Sequence, residues 1–146
     1  RARLAAARKA QAQGREADAV DVLAAWLDGP RNPREEADVL QAAAALGCWL
    51  CNALATAHIR RREVARAWAY TRTCGRWLTL RAGPADEVWR RLGLDCAFNA
   101  AELAKGSGDL RLAAARLREC ERVQGEMAQP AGVAEVQVSL AEVLLQ

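Results

Sequence analysis

The sequence predicts an all-α architecture built from repeated pairs of helices, and three observations carry that expectation. Alanine supplies 34 of the 146 residues, whereas Thr, Val and Ile together number 15, a balance that favours helix over sheet. Apolar residues recur at helical spacing in segments separated by Gly- and Pro-containing breaks. Sliding the chain along itself by 46 residues places Leu46-Gly47 over Leu92-Gly93, Cys74 over Cys120 and Pro84 over Pro130. The same shift pairs Ala67 with Ala113, Arg72 with Arg118 and Arg76 with Arg122. Gly, Cys and Pro are scarce here, so alanine-rich composition alone does not produce these coincidences.

The elements follow in order. Ala2 to Gln13 and Arg15 to Leu27 form a first, shorter hairpin, turned at Gly14 and closed by Gly29-Pro30. Pro33 is a start signal for a long helix over Arg34 to Ile59. Past a basic turn, Arg62 to Arg81 forms its partner, ended by Gly83-Pro84. Ala85 to Ala104 repeats the long helix, and Gly106-Ser107-Gly108 breaks the chain. Asp109 to Met127 repeats the partner and Gln129-Pro130 stops it. Val133 to Leu145 opens a further helix of the first type without a partner. The expected organisation is one domain over 1–146, with units at about 1–30, 33–83, 84–129 and an incomplete 130–146, or about three and a half hairpins.

Each partner helix is amphipathic. Trp68, Thr71, Gly75 and Leu78 share one stripe, and Leu110, Ala113, Leu117, Cys120 and Val123 share another. The tryptophans Trp26, Trp49, Trp68, Trp77 and Trp89 are expected as core, filling the space between hairpins. In the last helix Val133, Val136, Leu140 and Val143 form an apolar strip that a following repeat or a second copy of the chain should cover.

Trp89-x-x-Leu92-Gly93-x-x-Cys96 resembles the tetratricopeptide-repeat signature W-x2-L-G-x2-Y, with Cys in place of the aromatic. One period upstream, Ala43, Leu46, Gly47 and Leu50 occupy the same slots. Gly14, Ala19 and Leu23 fall where the family has its turn glycine, its small alanine and an aromatic of the second helix. The 46-residue period exceeds the family's usual 34, as in the extended repeats of bacterial regulators such as the sensor superhelix of maltose-type transcription activators. The resemblance implies a right-handed solenoid of antiparallel helix pairs whose first-type helices line a concave groove. Carried over position by position, that groove comprises Gln41, Ala44, Cys48 and Cys51, then Glu87, Arg90, Leu94 and Ala97. The Lys/Asn pair with which some members clamp a peptide carboxylate is missing from these slots. A mostly apolar groove with one Arg suits an amphipathic helix better.

Bond chemistry finds little support. Cys48-x-x-Cys51 lies mid-helix with no strand nearby, so the thiol activation of a redox pair is missing and buried small hydrophobes are the reading. A zinc site would add His58, seven residues past Cys51, but it is the only His and no second CxxC occurs. His58 reads as a helix C-terminal residue favoured by the dipole. Gly106-Ser107-Gly108 lacks the Lys-Thr of a phosphate loop and follows a helix. No catalytic residue, metal or cofactor is expected.

The formal charge of +3 does not supply the field of a nucleic-acid binder. The strongest cluster is the basic turn Arg60, Arg61 and Arg62 with Arg66, which reads as solvated cations favouring the preceding helix C-terminus, or else as a contact for an acidic partner. Val39 to Ala57 carries no charge and is long enough to span a membrane, yet its alanines and Gln41, Asn52 and Thr56 favour a buried helix. Five cysteines without a disulfide framework point to a reducing cytoplasm. The chain opens without Met and closes on AEVLLQ in mid-helix, and so reads as a piece of a longer polypeptide. The expected function is protein or peptide recognition in a bacterial regulatory or signalling protein, with possible self-association through the last helix. An effector-sensing domain coupled to a separate output is the alternative, and a Cys-based metal or redox switch a remote one.

Overall fold

The computed structural model describes residues 1–32, 34–126 and 130–146, with the backbone alone described at 130–135 and 137. Among the described residues the chain is all-helical, with no strand. The helices are α1 (Ala2–Ala12), α2 (Glu16–Leu27), α3 (Ala37–Arg60), α4 (Val64–Leu78), α5 (Glu87–Gly106), α6 (Leu110–Glu126) and α7 (Pro130–Leu144). Each packs on the next, and α3 also packs on α5.

Three of the turns are copies of one another. Gly14, Arg62 and Gly108 all adopt positive φ, at 73°, 61° and 81°. In each turn the following amide donates back to a carbonyl five residues earlier: Arg15 to Ala10, Glu63 to His58 and Asp109 to Ala104, each at 2.9 Å. This is the Schellman arrangement, which satisfies carbonyls that the helix end leaves open. Glycine adopts the left-handed conformation at little cost. Arg62 carries a side chain into it, at a cost of about 1 kcal/mol.

Helix starts are set locally. Asp86 caps α5 by accepting from the Trp89 amide at 2.9 Å, and Asp109 caps α6 through the Leu112 amide at 3.1 Å. The helix α5 therefore begins at Glu87, two residues beyond the expected Ala85. α4 stops at Leu78, short of Arg81, because Gln41 captures the chain beyond it: its Nε2 donates to the Leu80 carbonyl at 2.7 Å and its Oε1 accepts from the Ala82 amide at 3.0 Å. Pro33, and Met127 and Gln129 at the other boundary, lie outside the described residues.

The core falls into two clusters that meet in α5. Leu92 and Cys96 join the cluster built by α1 to α4, while Leu94, Ala97, Ala101 and Ala104 join that of α6 and α7. The inward stripe of α4 is Ala67, Thr71, Cys74 and Trp77, rotated by about one residue from the expected Trp68, Thr71, Gly75 and Leu78. Trp68 instead lies half-buried with the Arg72 guanidinium 5.4 Å over its ring. Trp26 and Trp77 are core, as expected, but Trp49 is 50% exposed and so is not.

The terminal strip is also corrected. Val136 and Val143 are buried against the second cluster, and Leu140 packs there too, so these residues are already covered from within the chain. The Val133 side chain lies outside the described residues. The exposed apolar side chains of this end are Val138, Leu144 and Leu145.

Candidate functional site

The α3 helix, at 24 residues, has more surface than one partner can cover. Ala44, Cys48, Cys51 and Ala55 turn inward. An adjacent stripe, Trp49, Asn52, Ala53, Thr56 and Arg60, faces α5. From α5 the residues Asp95, Phe98, Asn99 and Glu102 face back. The spacings 49, 52, 53, 56 and 95, 98, 99, 102 are the same i, i+3, i+4, i+7 register displaced by 46 residues. Equivalent stripes of the two helices thus line one cleft of about 650 Å³.

A carboxamide network forms the floor. Asn52 Nδ2 donates to the Leu92 carbonyl at 3.0 Å, and Asn99 Nδ2 donates to the Asn52 carbonyl at 3.3 Å. The Thr56 hydroxyl lies 2.9 Å from the same carbonyl and 3.2 Å from Asn99 Oδ1, and its single proton serves one of them at a time. Asn52 is 6% exposed, and among the described residues no side chain or backbone group donates to its Oδ1. Trp49 and Phe98 supply apolar surface around it, and Arg60, Asp95 and Glu102 supply charge. Burial pushes the Asp95 carboxyl above its ordinary value, partly offset by Arg91 at 3.5 Å.

The groove positions carried over from the tetratricopeptide pattern lie elsewhere. Ala44, Cys48 and Cys51 are fully buried, and Gln41 is tied to the end of α4. Those four therefore cannot line an open groove: they belong to the faces of α3 turned to its neighbours in the core. Arg90, Leu94 and Ala97 do line a cleft, but a different one, between α4, α5 and α6. Glu87 is exposed at the start of α5. The cleft residues Trp49, Asn52, Thr56, Phe98 and Asn99 are not among the expected site residues, Trp49 being expected as core and Asn52 and Thr56 as part of a buried helix. Their signal was present as two asparagines and a threonine at helical spacing in alanine-rich helices.

The five cysteines are all free and buried. Cys48 Sγ donates to the Cys74 carbonyl at 3.7 Å, Cys96 Sγ to that of Thr71 at 3.5 Å, and Cys120 Sγ to that of Leu94 at 3.7 Å. Burial pushes the Cys51 thiol up to about 12 and likewise that of Cys120. The Cys74 and Cys96 thiols are held up by their sulfur neighbours, Cys48 and Cys74 respectively, and by burial. Thiolate chemistry is suppressed by such shifts. Among the described residues no three His, Cys, Asp or Glu side chains are placed to hold a metal ion.

The basic turn does not converge. Arg60 edges the α3–α5 cleft, Arg62 edges a neighbouring hollow beside Ile59 and Gly106, Arg61 is exposed, and Arg66 pairs with Glu63 at 3.0 Å. His58 stacks on Tyr70 with ring centroids 5.6 Å apart, and its Nδ1 lies 3.6 Å from Glu63 Oε1. The α3 helix is long and apolar enough to cross a membrane by length and composition, and half of its most apolar window is buried within the chain. Comparison with protein-family models, curated proteins and solved structures gives no match.

Proposed function

We propose that this chain is a tetratricopeptide-like solenoid of antiparallel helix pairs that recognises a protein or peptide along the cleft between α3 and α5. The observation that carries the reading is the half-exposed Trp49, standing with Phe98 over a cleft floored by Asn52, Thr56 and Asn99. A partner's apolar side chains would cover Trp49 and Phe98, and its charged groups would meet Arg60, Asp95 or Glu102 at the edge. Aromatic anchors beside desolvated polar groups are where binding energy concentrates. The stacking of consecutive helices, the α3–α5 contact and the three matching turns all support the solenoid reading. An amphipathic helix is the favoured occupant, since the cleft offers both apolar surface and charges of both signs. The chain would then serve as the recognition module of a regulatory protein.

A photocrosslinking amino acid at position 49, introduced into the protein in its native cell, should trap one reproducible partner. A peptide spanning the crosslinked segment should bind the purified chain. Trp49→Ala should weaken it about tenfold or more, the range of an aromatic hot spot, while Val138→Ala on α7 leaves it unchanged. A trapped peptide that binds Trp49→Ala as tightly as the native chain would remove the cleft from consideration.

A further inference from the structure

We propose that the cleft between α4, α5 and α6 binds a planar aromatic anion about the size of an indole. The chain displays its own version of the occupant one period upstream. In the α3/α4 pair, Trp77 lies over Gly47 so closely that a Cβ at position 47 would sit 2.6 Å from a ring carbon. Leu23 bounds the same seat, the indole N–H donates to Asp28 Oδ1 at 2.8 Å, and the ring is 1% exposed.

Forty-six residues on, the floor of that seat persists as Gly93, but the position of the ring is held by Val123. Among the described residues, apart from its own helix backbone and chain neighbours, nothing lies within 4 Å of where a Cβ on Gly93 would stand. A cleft of about 390 Å³ opens there, walled by Leu78, Trp89 and Val123. That volume falls within the roughly 300–1,000 Å³ of small-ligand sites.

The rim selects charge. Arg81 and Arg90 border the cleft, both exposed and without an ion pair among the described residues. The acids at the same rim are engaged: Glu119 with Arg116 at 3.4 Å and Glu126 with Arg122 at 2.9 Å. The available charge is therefore positive, beside a ring-sized apolar space. A carboxylate on the ring would meet Arg90 or Arg81 in a charge-assisted contact. This cleft occupies a different face of α5 from the α3–α5 cleft, and neither reading depends on the other.

The test is an NMR titration of the isotope-labelled chain with indole-3-acetate. Two further arms use 3-methylindole, which lacks the charge, and the acidic peptide Glu-Trp-Glu, which carries the ring on a polypeptide. Saturable shifts confined to the helices around Gly93 are expected. They should be about tenfold weaker with 3-methylindole and with Arg90→Glu, the effect of losing one charge-assisted contact. Val123→Trp, which builds the indole into the chain, should abolish binding and raise the melting temperature. Tighter binding of the peptide than of free indole-3-acetate would assign the ring to a polypeptide, and the reverse to a small molecule. No saturable binding of either probe overturns the proposal, as does full binding by a folded Val123→Trp. Should that variant fail to fold, undiminished binding by Arg90→Glu overturns it instead.

Discussion

The pairs α3/α4 and α5/α6 share a period, a turn and a floor glycine, but differ in how the space above that glycine is filled. In the first, Trp77 closes it and Asp28 completes the seal by accepting from the indole and from Arg76 at 3.0 Å. In the second, Val123 is too small and a cleft remains. A second correspondence shows how tolerant the scaffold is. Positions 48 and 74 are joined by a thiol on α3 donating to an α4 carbonyl. At 94 and 120 the thiol is on α6 and the carbonyl on α5. The contact is retained while donor and acceptor trade helices. The backbone register is what repeats, and the side chains decide whether a given unit is sealed or open.

Trp77→Val makes the first pair a copy of the second, and the largest effect is expected there. It should lower unfolding free energy by about 3 kcal/mol, through lost burial and a residual cavity, read as a shifted urea midpoint at unchanged slope. A loss below about 1 kcal/mol would mean that Trp77 does not seal the pair. Gly47→Ala comes next. The added methyl would overlap the Trp77 ring, so a loss of about 1–3 kcal/mol is expected despite alanine's better helix propensity.

The same change in the second pair should reverse sign. With open space around it, Gly93→Ala should gain about 0.5–1 kcal/mol. Thermal melts of the two alanine variants side by side test the comparison directly, and losses of equal size would break it. The smallest effect is expected at the turns. Arg62→Gly gives the α3/α4 turn the residue that its counterparts at 14 and 108 already have, and should stabilise by about 0.5 kcal/mol. Destabilisation by that variant would indicate that the Arg62 side chain contributes more than its strained backbone costs.

These contrasts mark how far the sequence could be read. The 46-residue shift located the helix pairs, and the Gly106-Ser107-Gly108 break located the turn at Gly108, because Gly and Pro constrain backbone geometry wherever they occur. It did not orient the helices. The α4 stripe was read one position away from the observed one, although moving the α6 stripe Ala113, Leu117, Cys120 and Val123 back by 46 residues gives Ala67, Thr71, Cys74 and Trp77. The groove reading failed similarly: Ala44, Cys48 and Cys51 are core, while Trp49 and Asn52 line the cleft.

By itself, the sequence determined the helical class, the stride and the breaks, since these follow from propensity and from punctuation by rare residues that act locally. Only the tertiary structure decided which face of each helix met a neighbour, which tryptophan was sealed and which lay open, and where clefts formed. The physical reason is contrast. One residue along a helix turns the side chain by about 100°, and where alanine occupies several faces at once, hydrophobic periodicity cannot tell the buried stripe from its neighbour. Packing then settles the matter through bulk and hydrogen bonding, as Trp77 does over Gly47 and Asn52 does beneath Leu92.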